Sequence, residues 1–153
     1  MKKKGFTLIE LIVVIAIIGV LAAILVPAML GYVRKSKITT ANTTAKSIYN
    51  AFNTALVDMD TIDETPSDWV GDHTGSEFAS GSGFLGVVYG YFTDITKVQA
   101  FYVAEDEGAC IGCGVLTGNK YPGCYPNPWT PEYFKDNKPS SAEEAYTNAP
   151  TKT

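Results

Sequence analysis

The hydrophobic pattern of the chain changes character twice. From Leu11 to Leu30 no side chain is polar, which is about the 20 residues that a helix needs to cross a bilayer. From Ile38 onward the pattern becomes one-sided: Ile38, Ala41, Ala45, Ile48, Tyr49, Phe52, Leu56 and Met59 recur at spacings of three and four, with Lys37, Asn42, Thr43, Lys46, Asn50 and Asn53 between them. That period is one face of a helix. Together the two patterns predict a single helix from Phe6 to about Met59, about 80 Å long at 1.5 Å per residue. Residues 6–30 suit lipid or neighbouring helices, and residues 31–59 suit a globular domain.

Asp60 to Ser82 is rich in turn formers, including Asp60, Asp63, Pro66, Ser67, Asp68, Gly71, Asp72, Gly75 and Gly81, and reads as a solvated acidic loop. Its spacing fails a calcium loop of the EF-hand kind, which needs Gly at the sixth position and Glu at the twelfth. Beyond it, Phe84–Phe92 and Lys97–Ala104 are β-branched and aromatic runs that predict strands. Cys113–Thr117 is a third candidate, followed by turn signals at Gly118-Asn119 and Tyr121-Pro122-Gly123. Trp129–Phe134 is a fourth, confined to an edge or loop by Pro126, Pro128 and Pro131. The tail from Lys135 is polar, with a cap signal for a short helix at Ser141-Ala-Glu-Glu144. Three or four antiparallel strands on the second half of the helix make an α+β arrangement, with residues 60–153 as the globular part.

Charge sharpens this division. Residues 6–50 carry a net +3 through Arg34, Lys35, Lys37 and Lys46, and residues 51–153 a net −10. A basic stripe just past an apolar segment suits anionic headgroups or acidic neighbours. The acidic outer part argues against direct nucleic-acid binding through a basic surface. The three lysines before Gly5 place the N-terminus in the cytoplasm and the C-terminal bulk outside.

Glu10 is the one charge between Phe6 and Leu30. A carboxylate at hydrocarbon depth costs roughly 2.5 to 3.5 kcal/mol and calls for a partner. Arg34 stands about 36 Å further along a helix and cannot serve. A cut between Gly5 and Phe6 would create an α-amino group four residues before Glu10.

Lys2-Lys3-Lys4-Gly5, then Phe6-Thr7-Leu8-Ile9-Glu10, then an apolar stretch containing Gly19 and Pro27, resembles the class III signal and N-terminal helix of the type IV pilin family, of the type IVa kind. The resemblance covers about the first 55 residues. It implies the pilin fold, a leader of residues 1–5 removed by a prepilin peptidase, and N-methylation of Phe6. It further implies that Glu10 pairs with the N-terminus of a neighbouring subunit as helices leave the inner or cytoplasmic membrane and pack into an extracellular filament. An assembly ATPase and a platform protein would be the remaining partners, since the chain has no phosphate loop of its own. Pro27 removes the hydrogen bond to the Ala23 carbonyl and Gly19 permits close helix approach, so both are candidate assembly residues beside Glu10.

On this reading the chain is a structural filament subunit, and adhesion, motility or DNA uptake belongs to the assembled fibre. The alternatives are a pseudopilin of a type II secretion or competence machine, and a membrane-anchored carbohydrate-binding module using Tyr121, Tyr125 and Trp129 as a sticky face. Cys110, Cys113 and Cys124 lie in 15 residues outside the membrane, where one disulfide is expected, between Cys124 and either Cys110 or Cys113. The same cysteines with His73 spell a Cys₃His zinc set, against which stand the remote loop position of His73 and the oxidising exterior. A CxxC redox site lacks its βαβ context. No metal, no cofactor and no catalytic set is expected: His73 among turn residues reads as a solvent-exposed loop residue, and nothing forms a Ser/His/Asp or Cys/His group.

Overall fold

The computed structural model describes residues 5–62, 66, 69–80, 83–118 and 120–151, with backbone only for Ala79 and Ser80. Asp63, Ser67, Asp68, Gly81 and Asn119, part of the expected loop and turn, lie outside the described residues. The chain divides after Arg34 into two compact units.

Helix α1 runs Leu8–Thr61 with Pro27 inside it. In the second unit its buried stripe is Ile38, Ala41, Ala45, Ile48, Ala51, Phe52, Ala55 and Met59, with Tyr49 and Leu56 half-buried against the core. The expected periodicity therefore holds, widened by two alanines that let the sheet come close. Asn42 and Asn53, expected on the solvent side, are half-buried and hold the sheet: the Asn53 amide donates to the Cys110 carbonyl at 3.0 Å.

Four antiparallel strands lie in the order β1 (Gly71–His73), β2 (Ala100–Asp106), β3 (Ala109–Leu116) and β4 (Pro122–Tyr125). Phe101 and Val103 of β2 and Val115 of β3 join the core cluster with α1, while Tyr102 between them stacks on Tyr146, ring centroids 5.7 Å apart. The alternation of period two thus serves two layers. The β2–β3 turn is Glu107-Gly108 with φ of 51° and 82°, both left-handed, as a two-residue hairpin of right-handed twist requires. The register slips between Ala104 and Glu105. Ala104 pairs with Gly112 but Glu105 with Cys110, so Ile111 is the extra residue and Cys110 returns to the face that carries Cys113.

Several expected elements differ. Phe84–Phe92 is not a strand: all but Phe92 belong to α2 (Gly83–Tyr91), which buries Phe84 and Val88 one turn apart; a short all-apolar run has no period by which to choose. The segment before β2 is a 3-10 helix, Thr93–Lys97, with Ile95 buried. The expected turn at Tyr121-Pro122-Gly123 contains the start of β4 instead, which Pro122 tolerates as the first residue of an edge strand. Trp129–Phe134 is no strand: Thr130 accepts from the Tyr133 N–H and Pro131 opens α3 (Pro131–Asp136), the position where the missing N–H costs nothing. The acidic loop contains β1 and a 3-10 helix, Gly75–Ser80. The tail forms α4 (Ala142–Thr147) with Ser141 as its cap, Ala142 and Ala145 buried.

α4 covers the sheet face opposite α1. A Cβ on Gly114 would stand 2.4 Å from the Ala142 carbonyl oxygen, and one on Gly123 would stand 2.1 Å from the Ala41 carbonyl carbon. The two glycines mark where the sheet touches each layer.

Candidate assembly site

Phe6 and Thr7 precede the helix and Thr7 is its N-cap. The Thr7 N–H donates to Glu10 Oε2 at 2.7 Å, the Thr7 hydroxyl donates to the same oxygen at 2.6 Å, and the Glu10 N–H reaches Thr7 Oγ1 at 3.4 Å. This is a reciprocal capping box, in which cap and third residue satisfy each other's backbone donors. Thr7-x-x-Glu10 before an apolar run is its sequence signature. It gives Glu10 a partner within the chain that charge reasoning alone did not supply. The partner is neutral: of the ion pairs among the described residues, His73–Glu77 and Lys97–Asp94, neither involves Glu10.

From Phe6 to Val33 the large apolar side chains are exposed, Phe6 at 86% and Val33 at 41% being the extremes. The helix is long and apolar enough to cross a membrane, and none of that apolar window is buried within the chain. Gly19 has nothing within 4 Å of an added Cβ. Its smallness answers no neighbour in the chain, yet glycine costs about 1 kcal/mol of helix propensity relative to alanine. Gly5, at the expected cut, is exposed with open space around it.

In the second unit Lys35 and Lys46 are exposed on α1, Lys46 with its ammonium 5.8 Å from the Tyr125 ring centre. Cys110, Cys113 and Cys124 are buried free thiols. Cys110 and Cys113 belong to the α1-facing core, whereas Cys124 sits with Ile38, Trp129, Phe134 and Ala149, opposite Gly114 in the register and so on the α4 side. Burial pushes the Cys110 and Cys124 thiols up to about 11 and Cys113 well above its ordinary value.

His73 is not an exposed loop residue. It is 8% exposed and both ring nitrogens are engaged, by the Trp69 carbonyl and by Glu77. Among the described residues no group of His, Cys, Asp and Glu is arranged to hold a metal ion. Trp129 is 2% exposed, its indole N–H donating to the Ala145 carbonyl at 2.7 Å, which removes it from any aromatic binding face with Tyr121 and Tyr125.

A family model described as the prokaryotic N-terminal methylation motif matches residues 1–26. The chain is 32% identical over 151 residues to a fimbrial protein of Pseudomonas aeruginosa, covering 91% of this chain and 98% of that one. It is 32% identical over 110 residues to the type IV major fimbrial protein FimA of Dichelobacter nodosus, 71% of this chain and 69% of the relative. It is 37% identical over 93 residues to the type IV major pilin protein PilA of Myxococcus xanthus (strain DK1622), 59% of this chain and 36% of the relative. No solved structure matches it.

Proposed function

Since the chain belongs to the type IV pilin family and is a structural subunit of a pilus, we propose that its assembly is driven by the exposed helix and registered by Glu10. In this reading the precursor sits in the cytoplasmic membrane and a prepilin peptidase cuts between Gly5 and Phe6. The new α-amine of Phe6 is methylated, and an assembly ATPase with a platform protein moves the subunit into an extracellular filament. The Glu10 carboxylate exchanges its two Thr7 donors for the amine of a neighbouring Phe6, a charge-assisted bond about twice as strong as a neutral one. Gly19 and Pro27 let the helices approach and bend in the filament core.

The observation that carries this reading is the apolar surface of the helix from Phe6 to Val33, exposed in the single chain. Exposed apolar patches of this extent mark a membrane or a partner. A filament core supplies the second after the first.

The test is intact mass and N-terminal sequencing of protein sheared from cell surfaces, in wild type and in Glu10→Ala. Wild-type fibres are expected to begin at methylated Phe6. The variant is expected to be cut and inserted normally but to yield few fibres. Normal amounts of Glu10→Ala filament would remove the register role, and an uncut chain confined to membranes would overturn the processing scheme.

A further inference from the structure

Assembly at the N-terminus makes no use of the most deeply placed ionisable ring among the described residues. His73 ends β1 and is surrounded by Phe52 of α1 at 6.3 Å, Phe78 of the following 3-10 helix at 6.0 Å and Phe101 of β2 at 5.5 Å between ring centroids. Its Nε2 is 3.0 Å from the Trp69 carbonyl oxygen and its Nδ1 is 3.1 Å from Glu77 Oε2. A carbonyl oxygen can only accept, so Nε2 carries a hydrogen. A neutral imidazole has just one ring N–H, and its bare Nδ1 would then face a carboxylate, which also only accepts. One more proton closes the arrangement.

Glu77 is built to be that carboxylate. It accepts from the Thr74 N–H at 3.1 Å and the Thr74 hydroxyl at 2.8 Å. Desolvation opposes its charge, but the hydrogen bonds from Thr74 and His73 outweigh it and hold the carboxyl below its ordinary range. Among the described residues, Glu77 is the ionisable group set against the ring; α1 and β2 present the phenylalanines already named.

The segment fastened in this way is the edge of the sheet. β1 pairs Gly71, Asp72 and His73 with Val103, Tyr102 and Phe101, and the Gly75 N–H donates to the Val98 carbonyl at 2.9 Å. A Cβ at Gly75 would fall 2.0 Å from the Ile95 carbonyl oxygen, so the chain docks there with no slack. We propose that His73 is a proton-operated latch: doubly protonated, it bridges Trp69 and Glu77 and holds β1 on the outer edge of β2, and on losing a proton it loosens β1 while Trp69 and Phe78 stay in the core. Each opening of β1 uncovers the N–H and C=O groups of Phe101, Tyr102 and Val103, an unpaired edge able to pair with another chain.

The experiment is an NMR titration of the full chain in detergent micelles from about pH 5 to about pH 8.5, following the His73 ring nitrogens and the amide exchange of residues 71–77, corrected for intrinsic base catalysis. The ring is expected to be protonated on both nitrogens at the acid end. Its deprotonation is expected to coincide with a rise of about tenfold in exchange at Gly75 and Glu77 relative to α1, the equivalent of one pKa unit of coupling. Glu77→Gln offers an amide N–H to a neutral ring, so its segment is expected to stay protected at both ends of the range, whereas His73→Gln is expected to show no pH dependence. A ring carrying a single proton at about pH 5, or corrected exchange that does not change through the titration in the wild type, overturns the latch. The wild-type titration decides even if either variant fails to fold.

Discussion

Asn42 and Trp129 are joined by two hydrogen bonds of opposite sense: the Asn42 side-chain oxygen accepts from the Trp129 N–H at 3.0 Å, and its amide donates to the Trp129 carbonyl at 2.8 Å. The same oxygen also accepts from the Cys124 N–H at 3.0 Å. One helix side chain therefore satisfies three backbone groups, from β4 and from the stretch leading to α3. Asn42→Ala is expected to destabilise the globular unit by about 2 to 3 kcal/mol, because each orphaned group costs about 1 kcal/mol or more when water cannot fully replace its partner. Asn42→Asp keeps the acceptor but sets a carboxylate oxygen against the Trp129 carbonyl, where the amide donated, so it is expected to cost at least as much at neutral pH. Thermal unfolding followed by circular dichroism, read on the globular signal, checks both.

Gly123 has no room for a side chain, since an added Cβ would lie 2.1 to 2.5 Å from backbone atoms of Ala41 and Asn42. Those atoms belong to a helix and cannot swing aside. Gly123→Ala is expected to cost about 1 to 3 kcal/mol through forced separation of β4 from α1. Gly90→Ala, in α2 with nothing within 4 Å, is expected to stabilise by up to about 1 kcal/mol. Denaturant midpoints of the two variants should move in opposite directions.

Gly19→Ala separates the needs of the chain from those of the filament. With open space around it in the single chain, alanine is expected to strengthen the isolated helix by about 1 kcal/mol and leave processing unchanged. If helices close on Gly19 in the fibre, the same change lowers fibre yield. Equal yields of sheared fibre from variant and wild type would assign Gly19 no packing role.

The thiols give a pH signature. Burial raises Cys110 and Cys124 to about 11 and Cys113 further, so the folded chain holds these protons more tightly than the unfolded chain. The stabilising contribution is complete below the unfolded thiol value, about 8.5. It is lost as pH rises toward the folded values, by about 1.4 kcal/mol per pH unit for each thiol. Iodoacetamide at about pH 8 is expected to modify the native chain slowly, because few thiolates exist and none is accessible. After unfolding without reductant, mass spectrometry is expected to find three added groups, as for the free thiols of the structure. One added group would mean that the disulfide expected from the sequence forms in the exported chain.

How far the sequence can be read depends on the length over which a pattern repeats. The helix α1 was legible because its apolar positions recur over many turns, and each turn repeats the same statement. β2 and β3 were legible as alternating or β-branched runs, although their ends lay elsewhere. Phe84–Phe92 was misread because nine residues without polar punctuation carry no period. His73 was misread because burial of a polar ring in a turn-rich stretch depends on Phe52, Phe78 and Phe101, which come from three separate elements. The Thr7-Glu10 capping box is legible as a spacing of three before an apolar run, whereas the charge of Glu10 by itself points to a cation rather than to Thr7.

The chain's own order of residues determined that it carries an apolar helix with one acid near its start, followed by an amphipathic half and a small sheet, because these properties arise between residues one or two positions or one helical turn apart. Only the tertiary structure decided that Asn42 clamps Trp129, that Gly123 admits Ala41, that Cys124 faces away from Cys113, and that His73 lies buried between the Trp69 carbonyl and Glu77. Each of those facts is a meeting between residues distant along the chain, and a side chain's hydrogen bonds and burial are set by what lies against it.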